Sequence, residues 1–484
     1  MKGCGFQFDT TYMALPSQLF TKGRPDQAPS PKIVMLNSAL ATSMGLTFSH
    51  LTKKEQAELF SGSRLPKGAE PFSQAYAGHQ FGYFNILGDG RAHVWGEHLG
   101  PDGERYDIQS KGSGRTPYSR GGDGKATLGP MLREYLISEA MHHLKIPTTR
   151  SLAVVTTGEP ILREELLPGA LLTRVASSHL RVGTFSFAAN KLGEKVAEKL
   201  IDYTIERHYP ALIGSRNKAL ALLEMVMDKQ AELITHWMRV GFIHGVMNTD
   251  NMSLSGETLD YGPCAFMDTY DPHTVFSSID DLGRYAYANQ PKIAQWNLAR
   301  LAEALLPWID HNTSHATHLA TEIIEQFPKI YHKKWLTMMR SKLGLFGEQK
   351  SDEPLIVDLL DWLNNNHADY TNTFWDISQK AQPIGGLYAG KSFQAWYLRW
   401  QDRRKQNRKP LQSSIDLMQK NNPALIPRNH RVEQALQAAH AGSFTPFKQL
   451  LAALEKPYED RALFRAYRAP PSPSERVYQT FCGT

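Results

Sequence analysis

A change of texture near residue 190 constrains this chain more than any other feature. From about residue 70 to 187 the sequence is dense in glycine and in short β-like runs, and beyond 190 it reads mainly as helices. Segregated strands and helices predict an α+β body with two lobes. In the first half, Ala92–Glu97 and Tyr106–Lys111 read as neighbouring strands joined by the turn Gly100-Pro101-Asp102-Gly103. Thr127 followed by Pro130, Leu132, Tyr135, Leu136, Glu139 and Leu144 reads as a capped amphipathic helix, with proline in the first turn and Glu134 on the same helix. Ser151–Thr156 and Ala170–Val175 add two more strands, so the sheet is expected to be mostly antiparallel.

The second half opens with helices over Lys191–His208 and Arg216–Val240. In the latter, Leu220, Leu222, Leu223, Met225, Val226, Leu233, Ile234 and Trp237 make a broad apolar surface, and Gly241 ends it. Further helices are expected to the end of the 484 residues, separated by Pro307, Pro328, Pro354, Pro423 and Pro457. A net charge of +6, spread thinly, permits polyanionic ligands such as nucleotides without marking a nucleic-acid-binding protein. Three scattered cysteines provide neither a disulfide framework nor a zinc site. The amino terminus has no secretion-signal pattern and no stretch reaches 18 apolar residues, so we expect a cytoplasmic protein with no membrane and no nucleic acid among its partners.

The chemistry concentrates in Gly241-Phe242-Ile243-His244-Gly245-Val246-Met247-Asn248-Thr249-Asp250-Asn251, followed by Asp260-Tyr261-Gly262. His244 and Asn251 have the separation of the kinase pattern H-R-D-x-x-x-x-N, and Asp260-Tyr261-Gly262 matches D-F-G. Asn251 and Asp260 are therefore candidate oxygen ligands for a divalent ion. Val246 stands where the catalytic aspartate belongs and cannot accept a proton, which leaves Asp250 as the nearest substitute. Upstream, Gly88-Asp89-Gly90-Arg91 forms a tight turn before a strand, Lys111 closes the next strand, and Glu134 follows on a helix. That is the order of a kinase small lobe, in which a glutamate holds the lysine against triphosphate oxygens. The glycines from Gly112 to Gly124 offer main-chain donors for an anion, but fit neither a P-loop nor a dinucleotide fingerprint.

Together, Tyr76-Ala77-Gly78-His79-Gln80-Phe81-Gly82, Leu87–Ala92, Gln109–Arg120 and Met247–Met252 make the chain closely resemble the selenoprotein O (SelO/YdiU) family over nearly its full length. These are protein adenylyltransferases with a pseudokinase fold. The resemblance implies a protein-kinase-like two-lobed fold with a helical C-terminal extension, and ATP bound in a flipped orientation. AMP is then transferred to Ser, Thr or Tyr hydroxyls of proteins, with Mg2+ or Mn2+ as cofactor. Residues 1–70 become an N-terminal extension, 71–187 the nucleotide-binding lobe, 188–320 the lobe with the metal and catalytic loop, and 321–484 the extension with a tail. By the same resemblance Gly88, Gly90, Arg91, Lys111, Asp123, Gly124, Arg174, Arg181 and Asp260 surround the nucleotide. Asn251 and Asp260 look like the metal ligands, and Asp250 is the proton acceptor.

The residues themselves leave alternatives open. Asp250 fits a loop-stabilising role or a hold on metal-bound water as well as a base. Transfer of UMP from UTP, a γ-phosphate kinase using Asp250, and a nucleotide-binding scaffold without turnover all use the same constellation. His244 reads as a loop brace. The basic run Arg399–Lys409 beside Trp396, Tyr397 and Trp400 reads as a solvated helix face before a base-stacking one. Some family members carry selenocysteine near the carboxyl end, where this chain has Cys482; a redox switch, with Cys264 near Asp260, is the corresponding expectation.

Overall fold

A computed structural model describes residues 3–481; Cys482 lies outside them. The strands are β1 (Phe20–Lys22), β2 (Lys32–Leu36), β3 (Phe72–Gln74), β4 (Ala77–Gln80), β5 (Tyr83–Ile86), β6 (Ala92–Leu99), β7 (Arg105–Lys111), β8 (Ala126–Thr127), β9 (Arg150–Leu162), β10 (Leu166–Ala176), β11 (Phe242–Ile243) and β12 (Ala265–Phe266). Eight form one sheet in the order β1-β3-β6-β7-β10-β9-β2, with β8 against β10. All its pairings are antiparallel, and β6–β7 and β9–β10 are joined by the short connections that antiparallel pairing allows. The first 36 residues thus supply both end strands, β1 and β2.

Period-two patterning gives the sheet two buried faces. Val94, Val154 and Leu172 enter one apolar cluster, while their chain neighbours Trp95, Val155 and Leu171 enter another. Helices Ser38–Ser43 and Lys53–Phe60 contribute Leu40, Ala41, Leu59 and Phe60 to the second cluster. On the opposite face lies helix Leu128–His143, which contributes Leu132, Tyr135, Leu136 and Ile137 to the first cluster. Lys111 pairs with Leu172, and Gln109 with Arg174, so all four side chains project towards the helix-bearing face.

This helix departs from the expected amphipathic pattern. Thr127 takes the N-cap position without a side-chain cap bond, and nearly the whole helix is buried. The reason is a second cover: helices Asn429–His440 and Thr445–Leu454 pack on it from the far side, and Arg133 pairs with Glu433 at 2.8 Å. The long helix of the second half runs Lys218–Val240, begun by Asn217, whose side chain accepts from Leu220 N, and ended by Gly241 at φ 71°. Met225, read as part of its apolar surface, is exposed. In helix Lys391–Lys405, Trp396, Tyr397 and Trp400 are buried, and Arg403 is bound to the buried Asp352. Those aromatic faces are therefore committed to the core rather than open for base stacking. Among the described residues, no helix is long and apolar enough to cross a membrane.

Several histidines are folded in as neutral rings. Burial pushes His208 down to about 3, with Arg207 adding to the effect, and pushes His93 down to about 4. An unfolded imidazole titrates near about 6.5. The unfolded chain therefore takes up protons first, and their contribution to stability is complete above that pH and lost as the pH falls towards the folded values. The urea midpoint is expected to decline below pH 6.5. His208→Gln should flatten the slope by up to about 1.4 kcal/mol per pH unit; an unchanged slope would reject the assignment of that proton to His208.

Candidate active site

The site begins with the sheet register. Lys111 at the end of β7 and Arg174 on β10 reach towards the same helix, where Glu134 receives both: Lys111 Nζ lies 2.7 Å from Oε2, and Arg174 Nε and Nη2 lie 2.8 and 2.5 Å from Oε1. Asp260, from the loop between β11 and β12, enters from the helical half, its Oδ1 2.5 Å from both Lys111 Nζ and Arg174 Nη2. Burial opposes the charge on Asp260, yet Arg174, Lys111 and Arg181 outweigh it and hold the carboxyl well below its usual range. Glu134 is likewise held down, by Arg174 and Lys111 against the cost of burial. Arg181 stands behind them with its guanidinium 4.3 Å from the Tyr76 ring centre and 3.8 and 3.9 Å from Asp89 and Asp260.

These groups line a cleft of about 670 Å³, within the range of pockets that hold a nucleotide-sized ligand. Gly88, Gly90, Arg91, Lys111, Asp123, Gly124, Glu134, Arg174 and Arg181 all border it, as do Asp250, Asn251 and Asp260. The glycine-rich segment folds over as a flap in which Gly114 N donates to Gly124 O. Arg163, from the β9–β10 turn, holds both oxygens of Asp123 at 2.8 and 3.1 Å. Gly88 adopts φ 146° with the Tyr118 ring packed against it, leaving no room for a Cβ.

The catalytic-loop candidate is braced as the sequence suggested for His244: this buried ring lies 3.0 Å from Leu259 O through Nε2. Asn251 Nδ2 donates to Val246 O at 3.0 Å, which turns its carbonyl oxygen to other partners. Asp250 is half-buried, and desolvation pushes its carboxyl up to about 6. Its Oδ1 has no hydrogen-bond partner among the described residues, a costly state for a buried polar atom that serves only structure. Hairpin β4–β5 closes over it, and a Cβ at Gly78 would collide with the Asp250 carboxylate.

The donor set suits a hard cation. Asn251, Asp260 and the orphaned Asp250 oxygen bring oxygen donors to one cleft. Among the described residues, no group of three or more His, Cys, Asp or Glu could hold a metal alone. Mg2+ bound by one or two protein oxygens plus phosphate oxygens and water fits such a set. Of the six non-glycine residues at positive φ among the described residues, Phe81, Arg120 and Asp260 also border the cleft. Strain of about 1–3 kcal/mol at each is typical of functional sites.

Sequence reasoning missed Arg163, which sits in a turn with no local motif. It also gave no role to Tyr76 and Asp89, although both lie inside quoted motifs. Cys264, near Asp260 in sequence, is buried and gives its carbonyl oxygen to Arg133 Nη2 at 2.6 Å.

A cleft of fixed cations beside paired and orphaned carboxylates is the site of a protein that handles a phosphate-bearing ligand. Comparison with known proteins is specific. A family model described as Protein adenylyltransferase SelO matches residues 4–455. Proteins named protein nucleotidyltransferase YdiU from Nitrosococcus oceani and Alcanivorax borkumensis are each 57% identical over 481 residues, covering 99% of this chain and 98% and 99% of theirs. One of the same name from Geobacillus kaustophilus is 55% identical over 481 residues, covering 99% of both chains. The chain belongs to the SelO family of nucleotidyltransferases.

Glu134→Ala would leave Lys111 and Arg174 with Asp260 as their common carboxylate. Removing one partner from a buried ionic cluster costs about 3–5 kcal/mol. Urea denaturation of this variant should show a loss in that range, and a loss under 1 kcal/mol would mean that the cluster relaxes without Glu134.

Proposed function

We propose that this protein is a kinase-like, two-lobed enzyme that transfers AMP from ATP to Ser, Thr or Tyr hydroxyls of acceptor proteins. The observation that carries the proposal is the Asp250 carboxylate, with one oxygen buried and unpartnered, in the same cleft as the Lys111, Arg174 and Arg181 cations. Val246 borders the same cleft at the position where a kinase has its base, and offers no proton acceptor there.

In this reading the acceptor hydroxyl oxygen forms a bond to the α-phosphorus while its proton passes to Asp250. The bond from that phosphorus to the bridging oxygen breaks, and pyrophosphate leaves. Lys111, Arg174 and Arg181 hold the charge that grows on it, since preorganised cations in a water-poor cleft stabilise a developing anion without rearranging. Mg2+ or Mn2+ held by Asn251 and Asp260 would neutralise phosphate charge when bound. Arg163 fixes Asp123, which keeps the flap shaped around the nucleotide. The family description names adenylyl transfer, so ATP is taken as donor; an equal rate with UTP would widen the proposal to nucleotidyl transfer in general.

The test uses Mg2+, a protein acceptor, and ATP labelled at the α- or the γ-phosphate. Protein-bound α-label without γ-label is expected; γ-label alone would mean a kinase, and binding without either a silent scaffold. Asp250→Asn should lower kcat by about 10²–10⁴-fold, the usual worth of a positioned base. Asp260→Ala should abolish turnover in a folded protein, and normal rates in that variant would overturn the metal assignment.

A further inference from the structure

Hairpin β4–β5 has two unlike edges. On the β4 side, His79 N donates to Thr249 Oγ1 at 2.8 Å and Phe81 N to Asn248 Oδ1 at 3.1 Å, so this edge is tied to the loop that carries Asp250. On the other side, β5 is exposed along its whole length, and among the described residues no further strand pairs with it. Leu87 N donates to Tyr76 O, and the register pairs Asn85 with Gly78 and Tyr83 with Gln80. Antiparallel pairing alternates, so Phe84 and Ile86 turn their N–H and C=O groups outward, away from β4. Tyr83 is 78% exposed and Ile86 49%.

Open, apolar strand edges invite pairing with other chains, and soluble proteins normally blunt them with charge or cover. This one carries neither, and it runs directly into Gly88 and Gly90 on the wall of the nucleotide cleft. At the hairpin turn lies a cation. Arg284 has its guanidinium 4.9 Å from the Trp296 ring centre, its Nη2 would lie 3.9 Å from a Cβ on Gly82, and its buried Nε has no hydrogen-bond partner among the described residues. Arg300 lies over Trp296 at the same distance of 4.9 Å.

We infer that β5 is the docking edge for the acceptor: an extended segment of the acceptor protein adds as a third strand, with apolar side chains against Tyr83 and Ile86 and an acidic one towards Arg284. This rests on the protein-acceptor reading above and names what that site recognises. Strand addition draws affinity from main-chain hydrogen bonds and specificity from alternate side chains. The added strand stands two strand spacings, about 10 Å, from β4, where Gly78 packs against the Asp250 carboxylate. The modified hydroxyl therefore lies about three residues beyond the paired stretch, where the segment bends past Gly88 into the cleft. Acceptors are selected for a flexible, acidic and apolar neighbourhood rather than for one sequence at the hydroxyl.

The experiment uses the full chain and reduced, carboxymethylated α-lactalbumin, an unfolded acidic protein, as acceptor. In the Tyr83→Asp/Ile86→Asp double variant the KM for this acceptor should rise at least tenfold, with kcat and ATP affinity unchanged. Arg284→Glu should raise the same KM. Without nucleotide, added acceptor should slow amide hydrogen exchange at Phe84 and Ile86 and leave the β2 edge unaffected. An unchanged KM, a fall in kcat at unchanged KM, or protection at β2 in place of β5 would each overturn the docking edge. If the wild-type protein transfers no α-label to any acceptor, the proposed function fails, and exchange at β5 still decides docking separately.

Discussion

The structure hangs on one buried knot of charge, in which Lys111 and Arg174 share the carboxylates of Glu134 and Asp260. Three of these side chains are withdrawn from water and Asp260 is half-buried, and such a cluster is a poor source of net stability, because desolvation consumes most of the Coulombic gain. What the knot supplies is position. Each carboxylate has the same two cations as partners, so a shift of the sheet, the helix or the Asp260 loop leaves a buried charge uncompensated. Three segments from both halves of the chain are thereby brought into register to within hydrogen-bond distance. The knot is also balanced in charge, and on the proposed reading an incoming polyanion competes with Asp260 for its two cations.

The loops around this frame carry the strain. Phe81, Arg120 and Asp260 all stand at positive φ beside the cleft, and none is glycine. Phe81 is held by its bond to Asn248 and Asp260 by the charge knot, while Arg120 stands in a flap turn closed by Gly122 N donating to Ser119 O. Asp250 shows the same logic in electrostatic form. Burial disfavours its charged form, no partner satisfies Oδ1, and the packing of Gly78 against it prevents relaxation. A group kept in that state by its surroundings is poised to gain from a substrate that supplies the missing partner.

Much of this frame was legible in the sequence because it follows local rules. Alternating apolar residues gave the strands that hold Lys111 and Arg174, and helical spacing gave the helix that holds Glu134. The spacing of His244, Asn251 and Asp260 drew attention to the right loop. What escaped was set by distant parts of the chain. β1 has three residues and β2 has five, too short to stand out without their sheet partners. The helix around Glu134 reads as amphipathic only while the C-terminal helices that bury its other face are ignored. Arg163 lies 40 residues from Asp123, and no spacing rule joins a turn arginine to a flap aspartate.

The C-terminal helices, which carry no motif, acquire a purpose from Arg133. Successive residues on a helix point about 100° apart, so while Glu134 faces the sheet, Arg133 faces elsewhere. It donates to the main-chain oxygens of Gly262 and Cys264, just beyond Asp260, and pairs with Glu433 on the C-terminal helix. One helix turn thus grips the Asp260 loop twice, by side-chain charge through Lys111 and Arg174 and by main chain through Arg133, and the C-terminal segment closes the clamp. A two-lobed enzyme whose corresponding helix is free on its outer face can be switched by swinging that helix. Here the outer face is packed by Asn429–His440 and Thr445–Leu454, so the helix has nowhere to swing. On the proposed reading, the nucleotide end of the site is built in place, and the exposed hairpin edge is left as the part that meets a partner.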